Sequence, residues 1–346
     1  MAAKRKLKKG LLVLIGLLVL IYLWQFQLVN YGLMQLRGQL EVVYGAESLE
    51  DFLEDPTTSY ENKAKIELVL EIRDFSFNQL GIDYSENYTT VFDQNDEPSM
   101  WVVSACDPFS FTPRIWKFPV IGGFPYKGFF KKGKAIEEAR RIKESEALDV
   151  RVRTAGGWST LGWFKDPILS NMLKRSEGDL ASLLIHELTH GTLFVKDSVS
   201  FNENLASFIG DKGAVMFMEN KYGKESPEVI GYKNKMTDED MYIDYALESA
   251  SRLDSLYKAI TDWTLEEKKQ AKEDMYDSIK LKFTEIEFLS DRYKGFYENL
   301  QPNNTYFMSF LRYNSQLDVL EEEFQKNFHG DIKLYLAHLK ENYPSL

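Results

Sequence analysis

Two of the chain's four histidines fall in one five-residue window, His186-Glu187-Leu188-Thr189-His190, and this window constrains the fold more than any other feature. For its imidazoles to meet, the window must be helical, because positions four apart stack on one helix face. Stacked so, His186 and His190 can present ring nitrogens to one metal ion, with a single Zn2+ the expected cofactor. Glu187 is turned by about 100° from His186, which sets its carboxylate beside the ion without ligating it. From there it can take a proton from a water acidified by the metal. Leu180, Leu183, Leu184 and Leu188 supply an apolar face for the helix, and Glu177 and Asp179 suit its first turn.

A third ligand is required. The HExxHxxGxxH spacing would need Gly at 193 and His at 196, where Leu193 and Lys196 stand, so that class is excluded. Glu203, in Phe201-Asn202-Glu203-Asn204-Leu205-Ala206-Ser207, opens the next apolar-striped stretch. On a second helix packed against the first it would complete a site of two histidines and a carboxylate, one position open. Asp197, on the short connection between the helices, competes for the role; Glu203 is preferred.

The N-terminus carries a second strong signal. Lys4, Arg5, Lys6, Lys8 and Lys9 precede 27 uncharged residues that end at Arg37, and Leu11 to Trp24 is an unbroken apolar run apart from Gly16. With its uncharged flanks this run is long enough for a bilayer-crossing helix, with Trp24 and Tyr31 near one interface. No small-x-small cleavage site follows it. The sequence therefore predicts an uncleaved signal anchor over 10–31, a basic cytoplasmic segment over 1–9 and an outward-facing body over 32–346.

Without the five basic residues at the start, the net charge falls from −11 to −16. That sign argues against nucleic acid as a partner, which needs a basic face. Cys106 is the single cysteine, so no internal disulfide can form, and no local signature marks it as a nucleophile.

The remaining pattern is mixed. Tyr60 to Gln79 reads as a helix stopped by Gly81, and Gly32 to Val43 either continues the N-terminal helix or starts another. Strands are expected over 89–92, 100–105, 115–121 and 148–154, and a charged helix over 134–146. From about Ser176 the pattern is helical almost to the end. Ile243, Leu247, Ala250, Leu253, Tyr257 and Ile260 form one stripe, Thr264 with Glu267 a capping box, and Pro302 a break before helices near Thr305 and Asp331. The expected class is α+β and predominantly α-helical, with a metal-site core over 155–222 and a helical part over 223–346.

The runs GGWSTLGWFKDPILSNML and HELTHGTLFVKDSVSFNENLASFIGDKG resemble the bacterial "putative aminopeptidase" family related to the gluzincins. Further similarity lies in GQL at 38–40, WKFPVIGGFPYKGFF at 116–130 and NNTYFMSFLRYNSQLDVLEEEF near the C-terminus. The resemblance implies a gluzincin-like zinc peptidase core with His186, His190 and Glu203 as ligands and Glu187 as general base. It also implies a peptide substrate and a body on the periplasmic side of the bacterial inner membrane. Twelve residues separate His190 from Glu203, fewer than in thermolysin-like enzymes, so the connection must be tight. Family members often carry a cysteine pair where Lys117 and Gly123 stand, which implies a disulfide lost here. Phe217-Met218-Glu219-Asn220 is similar to an amine-gripping motif of other zinc aminopeptidases but follows the metal helix instead of preceding it, and is expected to be structural.

The expected function is thus a membrane-anchored zinc aminopeptidase. Tyr306, Arg312 and Tyr313 are candidate donors to the oxyanion, and Asp149 to Thr154 with Ala155-Gly156-Gly157 could pair with extended substrate. A zinc endopeptidase and a non-catalytic metal-binding envelope scaffold or chaperone are the competing readings.

Overall fold

Local signals set most of the element boundaries. The computed structural model describes residues 2–118, 122–155, 165–298 and 300–343, apart from some side chains in the first 21 residues and that of Glu298. The chain opens with α1 (Ala2–Tyr44), β1 (Glu47–Ser48), α2 (Leu49–Glu54), α3 (Tyr60–Asn78), β2 (Thr90–Phe92) and β3 (Trp101–Cys106). There follow β4 (Trp116–Phe118), β5 (Gly122–Phe124), β6 (Tyr126–Phe129), α4 (Lys132–Glu146), β7 (Asp149–Thr154) and β8 (Ile168–Leu169). The rest is helical: α5 (Glu177–Thr192), α6 (Val199–Tyr222), α7 (Pro227–Ala259), α8 (Leu265–Phe283), α9 (Asn304–Asn314), α10 (Leu317–Phe328) and α11 (Ile332–Asn342). The class is α+β and predominantly helical, as expected.

Ser59 caps α3, Gly81 takes the left-handed conformation just beyond it, and Thr264 and Glu267 form both arms of the capping box at α8. Asn95 and Asp96 also adopt left-handed backbone in the turn between β2 and β3. One sheet runs β1-β2-β8, a second β6-β3-β7 with both pairs antiparallel, and β4 pairs with β5. Lys117 and Gly123 are direct cross-strand partners on β4 and β5, so a cysteine pair at those places would stand face to face. Cys106 is fully buried in β3.

Three apolar clusters hold the molecule together. The largest joins α3, α5, α6, α10 and α11; the second joins α7, α8 and α9; the third lies between the β6-β3-β7 sheet and α4. In α7 the buried face runs through Tyr242, Ala246, Ala250, Leu253 and Tyr257. Ile243 and Leu247, expected on that stripe, are only half-buried, because α7 also borders an open cavity. The helix α10 was not resolved from α9 in the pattern, since Ser315 and Gln316 interrupt it without Gly or Pro.

The N-terminal helix is kinked at Gln25, where the backbone is non-helical, and its second segment runs on into the body. Tyr31 stacks on Phe118 and meets Phe129 edge to face, Tyr31 Oη donates to the Gly128 carbonyl at 2.9 Å, and Val42 enters the main core. A Cβ at Gly38 would meet the Phe130 ring at 2.2 Å, so only glycine lets α1 seat this closely. Among the described residues no helix is long and apolar enough to cross a membrane. The expected span 10–31 lies within α1, and the side chains of residues 11, 14, 15, 17–19 and 21 in it fall outside the described residues.

Candidate metal centre and its cavity

Ser176 caps α5 by accepting the Asp179 N–H, and Glu177 and Asp179 occupy the positive end of its dipole. Leu180, Leu184 and Leu188 are buried on one side of α5, and this fixes the rotation that turns His186 and His190 inward. The two rings meet edge to face with centroids 4.8 Å apart.

Glu203 comes from the first turns of α6, and its neighbours lock it in place. Asn202 spans the tight connection, accepting from Val195 N at 2.9 Å and donating to the Val195 carbonyl at 2.8 Å. Asn204 reaches the other way: Nδ2 donates to the Arg312 carbonyl at 2.6 Å, and Oδ1 accepts from Gln316 N at 2.8 Å. Both asparagines are buried. Gly210, two turns further along α6, removes the last obstacle. A Cβ there would lie 2.8 Å from the Ser182 carbonyl and 3.2 Å from His186 Cβ, so the two helices approach backbone to backbone beside the first histidine.

The result is a convergent donor set. Glu203 Oε2 lies 3.5 Å from Nε2 of both His186 and His190, and the three ligand-type atoms are all within 4.8 Å of one another. Donors about 2.1 Å from a tetrahedral ion are roughly 3.4 Å apart, so the spacing suits a small divalent ion. Burial alone would raise the Glu203 carboxyl; hydrogen bonds from His186 and His190 overturn that and hold it low. Two imidazoles around an ionised carboxylate therefore form a group that could hold a metal ion. Asp197, the competing ligand, takes a left-handed conformation in the connection and is not part of this group. His190 Nδ1 is buried with no hydrogen-bond partner among the described residues.

Glu187 is buried beside the group, and burial pushes its carboxyl up to about 7, with His186 opposing and Glu203 adding to the rise. Both histidines, Glu187 and Glu203 open into a cavity of about 720 Å3. Tyr313 and Tyr126 face it as well, their phenols pushed up by burial first and by the Glu203 charge second. Arg153 Nη2 donates to Tyr313 Oη at 3.3 Å, which leaves the phenol's own proton free to donate into the cavity.

Of the three candidate oxyanion donors only Tyr313 reaches this space. Tyr306 pairs its hydroxyl with Tyr242 inside the aromatic cluster, and Arg312 lies over the Tyr126 ring at 5.5 Å. The strand β7 contributes Arg153, with Ala155 just past its end; nearer its start the Val150 carbonyl is taken by Asn303 Nδ2 at 3.0 Å. Gly156 and Gly157 lie outside the described residues. Phe217 to Asn220 sits within α6, with Phe217 and Met218 in the core and Glu219 paired to Lys233.

Sequence reasoning missed an acidic margin of the cavity. Asp211 accepts from Ser182 Oγ at 2.8 Å, and burial pushes its carboxyl up to about 6. Asp240 is raised too, by burial and then by Asp244 and Glu239. The polar residues of a helical stripe were the available signal: Ser182 and Asp211 sit on the facing sides of α5 and α6.

The model of the family described as "Putative aminopeptidase" matches residues 30–342. No curated protein and no solved structure matches the chain.

Proposed function

From the premise that this chain belongs to the "Putative aminopeptidase" family, we propose that it is a membrane-anchored, gluzincin-type zinc peptidase that shortens peptides from a free N-terminus. The observation that carries the reading is the convergence of His186, His190 and Glu203 at the floor of a large cavity, with Glu187 at their side.

His186, His190 and Glu203 would hold the zinc. When bound, such an ion polarises a carbonyl and acidifies water. Glu187, the general base, takes the proton of the attacking water and delivers it to the leaving amine. Tyr313 donates its phenol proton to the carbonyl oxygen as charge develops there, steadied by Arg153. Asp211 and Asp240 line the cavity with carboxyl groups that would complement a substrate ammonium. A purely structural zinc would be enclosed by four protein ligands. Three ligands beside an open cavity and a buried base favour the enzyme over the scaffold.

Anchoring is supported by the uncharged residues 10–36 and by the exposure of Leu12, Val13, Leu20, Leu23 and Trp24 on α1. The basic start keeps residues 1–9 cytoplasmic and the body on the periplasmic side of the inner membrane.

The deciding experiment compares the zinc-loaded and chelated full chain on peptides with free and with blocked N-termini. Cleavage of free peptides alone, lost on chelation, is the expected result. Cleavage of blocked peptides would make it an endopeptidase. No cleavage of either would leave the scaffold.

A further inference from the structure

We propose that Gln35 and Gln39, on the stretch of α1 that follows the expected anchor, bind the backbone amide groups of the peptide substrate. The inference rests on the peptidase reading above and adds to it a substrate-binding site on the helix that would otherwise serve as a tether.

Both glutamines line the same cavity as the histidines. Each has a buried amide atom with no hydrogen-bond partner among the described residues: Oε1 of Gln35 and Nε2 of Gln39. The orientation of Gln35 is determined by its neighbours. Tyr31 Oη commits its one proton to the Gly128 carbonyl, so it can only accept from Gln35, and Gln35 Nε2 donates to it at 2.9 Å. That leaves Gln35 Oε1 as an unused acceptor. Gln39, one turn on, offers an unused donor. Buried polar atoms without partners are costly and rare, and Gly38 seats this part of α1 tightly against Phe130 at the cavity wall.

An acceptor and a donor on one helix face, about 6 Å apart along the axis, complement one edge of an extended peptide. On such an edge N–H and C=O alternate within a two-residue repeat of about 6.8 Å, and two flexible side chains a turn apart converge on one of each. Gln35 accepts a substrate N–H, and Gln39 donates to a substrate carbonyl. A side-chain amide of Asn or Gln in the substrate offers the same pair of groups, and the test separates the two sources.

The test uses the full-length, zinc-loaded chain carrying Glu187→Gln, so that binding is read without turnover. The probe is an alanine-rich peptide with a free N-terminus and a C-terminal fluorophore, followed by anisotropy. Adding Gln39→Met or Gln35→Met should weaken binding about three- to tenfold each, with zinc content and melting temperature held. Among the described residues the Gln39 side chain makes no hydrogen bond, so Gln39→Met guards against a folding effect of Gln35→Met. In a series of peptides N-methylated one bond at a time, one position should weaken binding to the parent and lose that penalty in Gln35→Met. Unchanged affinity in both folded variants would overturn the inference and leave the two amides to water. Dependence on an Asn or Gln side chain without an N-methyl effect would overturn the backbone assignment. If the parent chain binds no peptide at all, the peptidase reading falls and this inference falls with it.

Discussion

The two walls of the cavity are written into the chain in different ways. The metal wall comes from α5 and α6, consecutive helices joined by a connection that Asn202 closes on itself. The opposite wall draws Gln35 and Gln39 from α1, Tyr126 from β6, Arg153 from β7 and Tyr313 from α9, elements spread over most of the chain. On the metal wall, helical spacing brings the two histidines together and the packing of the next helix adds Glu203. On the other, each residue arrives by tertiary packing. The difference predicts separable behaviour: damage to the first wall should abolish chemistry, and damage to the second should weaken recognition and transition-state support while leaving the metal group whole.

The strongest challenge to that separation is Glu187→Gln. It keeps shape and burial and removes the proton acceptor, so kcat should fall about a thousandfold or more while zinc remains bound, as measured by metal analysis of the same sample. Near-normal turnover would take Glu187 out of the chemistry. A smaller effect is expected across the cavity. Tyr313→Phe deletes only a hydroxyl, and kcat should drop about a hundredfold with KM and zinc content little altered. A loss confined to KM would place Tyr313 in substrate binding and not at the oxyanion.

Gly210→Ala sharpens the comparison from the packing side. The added methyl would press on the Ser182 carbonyl at 2.8 Å, a backbone atom that cannot swing aside. The α5–α6 pair should open slightly, costing about 1–3 kcal/mol. Thermal unfolding and zinc affinity should both decline, while peptide binding by the remaining fold changes less. If zinc affinity is unaffected, the close approach is not what brings Glu203 to the histidines.

What could be read in the sequence follows the same division. The five-residue window located both histidines and Glu187, and Glu203 followed from the need for a third donor on the next helix. Caps and stops placed α3, α5 and α8 because they act within a few residues. The cavity's far side was not readable, since nothing local in Gln35, Tyr126 or Arg153 distinguishes a cavity residue from a surface one. Tyr313 was named with Tyr306 and Arg312, but choosing among them needed the rotation of α9, which the aromatic cluster sets by burying Tyr306. The sequence marks Asn202-Glu203-Asn204 only as part of an apolar-striped stretch that carries the ligand Glu203. Its asparagines prove to be the clamps, because each side chain supplies a donor and an acceptor to a different loop.

The mildest prediction concerns acid and the sheet behind the far wall. Glu138 on α4 ties that wall's sheet together: it accepts from Trp116 Nε1 at 3.1 Å and pairs with Arg141 at 3.0 Å and Lys127 at 3.4 Å. Burial would raise its carboxyl, but Arg141, Trp116 and Lys127 outweigh this and lower it from 4.5 to about 2. For Lys127 the balance reverses, and burial wins over the pairing to push the ammonium down. The Lys127 contact is the longer one, so Arg141 and Trp116 carry most of the effect on Glu138. A carboxyl depressed on folding stabilises the native state above its unfolded pKa. That contribution fades as pH falls from about 4.5 towards 2. The fall in pKa corresponds to about 3 kcal/mol at face value. Arg141 is half exposed, and screening brings the expected figure to about 1–2 kcal/mol. Urea unfolding followed by tryptophan fluorescence should show the wild type losing about 1 kcal/mol more than Glu138→Gln between pH 6 and pH 3, with the remainder lost below pH 3. Parallel losses in the two proteins would mean that the sheet behind the far wall does not depend on this carboxylate.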